Sequence, residues 1–185
     1  MKSAVFLVEE FEEIEAVSVI DIMRRGNEDL DIVSLSGSRL VTGSHGIAVQ
    51  ADALFEDASI DSYDILILPG GGGYVHYLEH EPFIRALKKH AAQGKKIAAI
   101  CAAPTVLGEL GLLKGKRAVC FAGMEGLLDC AENPNEIVVE DGQFITSRSA
   151  ATALFFGLKI LESAAGAKAS QEVADAMLAG LLRVK

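Results

Sequence analysis

KKIAAICAAPTVLG, residues 95–108, reads as a strand, a sharp turn and the opening of a helix. An apolar run ends at Cys101, and Pro104 follows where the first turn of a helix tolerates a residue that lacks an N–H. A short unbroken apolar run suits a strand buried on both faces of a parallel sheet. The junction sets a thiol at the carboxyl end of that strand, beside the unpaired N–H groups and positive end of a helix. Such a place exposes a side chain and is expected to lower a thiol pKa. Free cysteine is also among the most buried residue types, so the junction alone leaves a reactive thiol and an inert packing residue both open.

The same strand-then-helix unit recurs on either side. Before it come SAVFLV (3–8), a helical FEEIEAVSVIDIMRRG (11–26), LDIVSL (30–35), a hairpin around GSHGIAVQAD (43–52), YDILILPGGGG (63–73) and a helix ending at HAAQG (90–94). After it come the helix APTVLGELG (103–111), the strands KRAVCF (116–121) and EIVVEDGQFITS (136–147), a helix over AATALFFGLKILESAAG (150–166) and a closing helix AKASQEVADAMLAGLL (167–182). AENPNE (131–136) is a loop. Alternation of this kind predicts an α/β fold, a mostly parallel sheet with helices on both faces. No linker, repeat or low-complexity tract divides the 185 residues, so one domain, 1–185, is expected.

Composition narrows the function. A net charge of -9 opposes nucleic-acid binding, which depends on clustered Lys and Arg. No stretch approaches ~18 uninterrupted apolar residues, so no membrane span is expected. The N-terminus MKSAVFLVEEFEEIEAV carries glutamates where a signal peptide has its cleavage site, and the expected location is cytoplasmic. Three cysteines, Cys101, Cys120 and Cys130, match no zinc spacing and read as free thiols in a reducing compartment.

In open α/β sheets ligands bind outside the carboxyl ends of strands, which singles out three stretches: EEFEEIE, PGGGG and CAAP. The glycines lack the spacing of a P-loop or dinucleotide fingerprint. They mark a tight turn, and that turn can also aim the N–H of Gly70 or Gly71, together with that of Ala102, at a developing negative charge. Acidic residues suit a helix N-terminus, but Glu15 projects between Val19 and Ile22 on the apolar arc. A carboxyl there is either protonated or paired, as enzymes arrange for acid–base work, or a first-turn glutamate at the edge of the arc. Cys120 and Cys130 have no such setting and read as packing residues. His76 and His80 lie four apart, a spacing zinc sites use, but no third ligand accompanies them and no metal is expected. His45 sits among glycines in a turn.

With EEIEAVSVIDIMRRG, YDILILPGG, AAICAAPTVL and DGQFITSR in place, the chain resembles the ThiJ/PfpI family nearly end to end, and within it the DJ-1-like, deglycase-containing branch. The resemblance implies a flavodoxin-like sandwich that forms a homodimer and needs no cofactor. It implies Cys101 as nucleophile, Glu15 as the buried carboxylic acid bonded to the sulfur, and the N–H groups of Gly71 and Ala102 as oxyanion donors. In that branch an Arg reaches the site from the partner subunit; here the position is His45, which would bring a titratable group instead. Protease-like relatives carry a His after the cysteine, where this chain has Ala102, so the Cys-His dyad of a peptidase is missing. Phe121 replaces a branch histidine, and Ser149, Ala150 and Ala151 alter the pocket rim.

The resulting expectation is a cofactor-independent cysteine enzyme for reactive dicarbonyls such as methylglyoxal or glyoxal, in the manner of a glyoxalase III, or for their early protein adducts, in the manner of a deglycase. The Cys101 thiolate adds to the aldehyde carbon and Glu15 moves a proton between adjacent carbons. The alternative is a redox-sensing stress protein or chaperone in which Cys101 becomes a sulfinate held by Glu15. A thiamine-related accessory role finds no residue to support it.

Overall fold

The computed structural model describes residues 1–182. Seven strands form one sheet: β1 (Lys2–Leu7), β2 (Asp29–Ser34), β5 (Ala53–Leu54), β6 (Ile65–Leu68), β7 (Lys96–Ile100), β8 (Val138–Asp141) and β9 (Phe144–Ser147), in the order β5-β2-β1-β6-β7-β9-β8. Every pairing is parallel except that of β8 with β9 at the edge. Strands β3 (Leu40–Thr42) and β4 (Ala48–Gln50) make the expected hairpin as a separate two-stranded sheet.

The apolar runs are explained by burial on both faces. Val5, Leu7, Ile65, Ile67, Ala98 and Ile100 pack under α1 (Glu13–Arg25) and α5 (Ala153–Ala165). Their neighbours Ala4, Phe6, Leu66, Leu68, Ile97 and Ala99 pack under the other layer. That layer holds α2 (His76–Glu79), α3 (Glu81–Ala92) and α4 (Ala103–Glu109). Full burial of one such large side chain contributes about 1.5–3 kcal/mol. Helix α6 (Ala167–Ala176) docks on α5, where Ser170 Oγ donates to the Leu158 carbonyl at 2.7 Å. Among the described residues no helix is long and apolar enough to cross a membrane.

Two expectations need correction. EIVVEDGQFITS is two antiparallel strands, turning at Gly142 with φ 63°. KRAVCF is not a strand: it makes a single bridge, Arg117 to Glu132. Both edges of β7 are already occupied, by β6 and β9, and β9 is covered by β8. The run therefore lies as a buried loop whose N–H groups find other acceptors, with Val119 donating to Thr146 Oγ1 and Phe121 to the Cys101 carbonyl.

The chain runs from β1 outward to β2 and β5, then returns to β6 on the other side of β1, so the strand order reverses between β1 and β6. The carboxyl ends there, and that of β7 next to them, form the crevice where open α/β sheets place ligands.

Candidate active site

Cys101 sits between β7 and α4 with φ 65°, a left-handed conformation that costs a residue with a Cβ about 1–2 kcal/mol. The neighbours hold it there. Its N–H donates to the Ser147 carbonyl at 3.0 Å, continuing the β7–β9 ladder, and its carbonyl accepts from Phe121 N–H at 2.7 Å. Strain fixed on both sides of one residue turns the side chain out of the sheet, and such strain clusters at functional sites. The thiol is half-buried.

Glu15 comes to it from the first turn of α1, wholly buried. Oε2 accepts the Gly70 N–H at 2.8 Å, Oε1 is buried without a hydrogen-bond partner, and the carboxyl interacts with the neighbouring thiol of Cys101. Burial raises this carboxyl to about 7, against the lowering effect of the Gly70 N–H. The glycine turn makes the approach sterically feasible: a Cβ on Gly70 would lie 2.8 Å from Cys101 Cβ, and one on Gly71, at φ 101°, would overlap the Glu10 carbonyl. With the Gly70 N–H taken by Glu15, the N–H groups facing the sulfur are those of Gly71 and Ala102.

The thiol pKa departs from expectation. The helix end was expected to lower it, but burial and then the neighbouring Glu15 charge push Cys101 up to about 12. Helix α4 is only seven residues long, and the N–H groups of Ala102 and Gly71 offset only part of this rise. Burial thus favours the protonated form of both groups, and the carboxyl lies where, once ionised, it can take the thiol proton during reaction.

A residue that the sequence did not reveal completes the arrangement. Tyr77, fully buried in α2, places its hydroxyl between the carbonyls of Phe6 at 2.9 Å and Pro69 at 3.0 Å. In YVHYLEHE it is one of two tyrosines among histidines, and no local pattern ties it to the glycine turn.

His45 lies on the hairpin over the start of α1. Its Nδ1 is 2.8 Å from Glu13 Oε2 and 3.5 Å from Glu12 Oε2 in the same chain, and Glu13 accepts its backbone N–H at 2.6 Å. The Glu13 contact raises the histidine pKa, and the imidazole is otherwise exposed. Among the described residues, Glu12, Glu13 and His45 are the one group with metal-ligand separations, and they already pair with one another. His76 and His80 do not form a metal pair: His76 bonds Glu79, and His80 Nδ1 accepts the Phe83 N–H to cap α3. Phe121 is exposed, and Ser149 caps the turn at 150–152. Cys120 is fully buried and Cys130 half-buried, and neither has a carboxylic acid at its sulfur like that of Glu15 at Cys101.

The DJ-1/PfpI family profile matches residues 1–163. Protein DJ-1 homolog B of Arabidopsis thaliana is 37% identical over 90% of this chain, which spans only 39% of that longer protein. Deglycase PfpI of Pyrococcus furiosus is 29% identical over 80% of this chain and 90% of its own length. The solved structure of oxidized Toxoplasma gondii DJ-1 superimposes with a TM-score of 0.92 at 33% identity, over 96% of this chain and 97% of that one.

Proposed function

The chain belongs to the DJ-1/PfpI family, and from that premise we propose that it is a cofactor-independent cysteine enzyme acting on small reactive dicarbonyls or on their early adducts with protein side chains. The observation that carries this reading is the buried Glu15 carboxyl beside a strained, half-buried Cys101 whose sulfur faces two backbone N–H groups. The deglycase relatives support the reaction class.

With methylglyoxal, ionised Glu15 takes the thiol proton as Sγ bonds to the aldehyde carbon. The N–H groups of Gly71 and Ala102 hold the oxyanion until Glu15 returns the proton to it, giving a neutral hemithioacetal. Glu15 then removes the proton from the former aldehyde carbon and delivers it to the adjacent carbonyl carbon through an enediol. The first carbon is oxidised and the second reduced, so no external oxidant is needed. Water cleaves the resulting thioester, releasing a 2-hydroxy acid and the thiol. For a protein adduct the C–S or C–N bond of the hemithioacetal or hemiaminal breaks first, its hydroxyl proton passing to the departing protein thiol or amine, and Cys101 then adds to the aldehyde so released. Exposed Ile14 and Val17 on α1, with Leu40 and Ile47 on the hairpin, support a homodimer across this face.

The test is methylglyoxal turnover under reducing conditions by wild type, Cys101→Ser and Glu15→Gln. Loss in both variants supports the reading; turnover that survives Cys101→Ser overturns it.

The same geometry favours a second reading, oxidation of Cys101 by two equivalents of peroxide to a sulfinate, with two waters released. The Gly71 and Ala102 N–H groups and a protonated Glu15 can all donate to that anion. Mass spectrometry after mild peroxide should find two added oxygens on Cys101. An oxidation state unaffected by Glu15→Ala, which leaves no donor there, removes the proposed hydrogen bond.

A further inference from the structure

We propose that Tyr77 is a positioning residue for this reaction: its hydroxyl fixes the Pro69–Gly70 peptide so that the Gly70 N–H stays on Glu15 Oε2 and Oε1 remains free for Cys101. The inference rests on the proposed role of Glu15. One peptide plane is held at both ends, its carbonyl accepting from Tyr77 at 3.0 Å and its N–H donating to Glu15 at 2.8 Å. The same phenolic proton is shared with the Phe6 carbonyl at 2.9 Å, so the hydroxyl spans the point where the chain reverses direction across the sheet. The paired residues of β1 and β6 end at Val5 and Ile67, which leaves the carbonyls of Phe6 and Pro69 beyond the pairing. Tyr77 reaches both from the opposite helix layer, with its ring packed on Phe83 at 5.6 Å between centroids.

A phenol at this place does what phenylalanine cannot. Two carbonyls are buried at the tip of α2, and hydrogen bonds in series polarise one another, so a donor on the Pro69 carbonyl strengthens the Gly70 N–H as a donor. That N–H favours the ionised form of Glu15, the form that takes the thiol proton. The titratable groups acting on Glu15 are Cys101 from the end of β7, Glu12 from the turn before α1 and Tyr77 itself from α2. Tyr77 thus reaches the chemistry only through the peptide and touches no reacting atom.

The experiment follows the Glu15 carboxyl directly, by 13C NMR titration in a Cys101→Ser background, and follows turnover separately in otherwise wild-type protein. Tyr77→Phe is expected to raise the Glu15 midpoint by about half a unit or more and to lower kcat roughly tenfold with KM little changed. Phe83→Leu loosens the same packing without touching the peptide and should leave the midpoint in place. An unchanged midpoint in Tyr77→Phe, or an equal shift in Phe83→Leu, overturns the proposal. Because the carboxyl titration needs no substrate, absence of methylglyoxal turnover in wild type would count against the proposed function and leave this test standing.

Discussion

Cys101 and Cys120 are both pushed up to about 12, mainly by burial, yet only one of them lies in a place built for chemistry. Cys120 is packed in the loop that runs beside the sheet, with its sulfur 3.4 Å from the Phe121 carbonyl. Cys101 is half-buried in a left-handed conformation, with a carboxyl and two backbone N–H groups at its sulfur. The pKa does not separate them. What separates them is whether a base stands ready to take the proton and donors stand ready to receive the charge that follows.

The largest expected effect breaks the comparison outright. Cys101→Ser should lower dicarbonyl turnover by at least on the order of 10³-fold, whereas Cys120→Ser should stay close to wild type. Steady-state kinetics under reducing conditions measure both; equal losses would mean that the strand-to-helix turn at Cys101 has no special role.

Next in size is Glu15→Gln, which removes the base and should cost on the order of 10²–10³-fold in kcat. The same substitution sharpens the comparison through alkylation. Iodoacetamide reacts with thiolate, so in wild type the rate at Cys101 should still be rising beyond pH 9, because burial and the Glu15 charge hold its proton. Glu15→Gln removes that charge, so the Cys101 midpoint should fall and its rate at neutral pH should rise. Cys120, whose shift comes from burial and Glu125, should not respond. A Cys101 profile unaltered by Glu15→Gln would show that the carboxyl does not act on the thiol.

Much of this arrangement was legible because it is local. Strand runs, the strand-to-helix turn at Cys101 and the inward side of α1 all follow from periodicity and from glycine and proline placement. KRAVCF misled because Ala118, Val119 and Cys120 are buried, as residues of a strand would be, while β7 and β9, the strands beside it in the sheet's interior, are already paired on both edges. The thiol pKa misled for a related reason: a helix end is visible in sequence, but it is outweighed by burial, which only the fold creates, and by the charge of Glu15, 86 positions away in chain and adjacent in space. Tyr77 was invisible because its acceptors, Phe6 and Pro69, are backbone carbonyls, which carry no mark in the sequence.

The smallest expected effect tests the strain that distinguishes the turn at Cys101. In a left-handed conformation alanine keeps the Cβ clash that cysteine has, whereas glycine does not, so Cys101→Gly should be more stable than Cys101→Ala by about 1 kcal/mol despite the greater entropy of the unfolded chain. At Cys120, whose φ is not positive, the order should reverse: glycine offers no relief there, loses more entropy on folding and leaves more of a buried space empty. Urea denaturation of the four variants, compared at equal slope, gives both differences. The same order at both positions would mean that the Ser147 and Phe121 contacts hold Cys101 without appreciable cost, and that strain is not what turns its sulfur out toward Glu15.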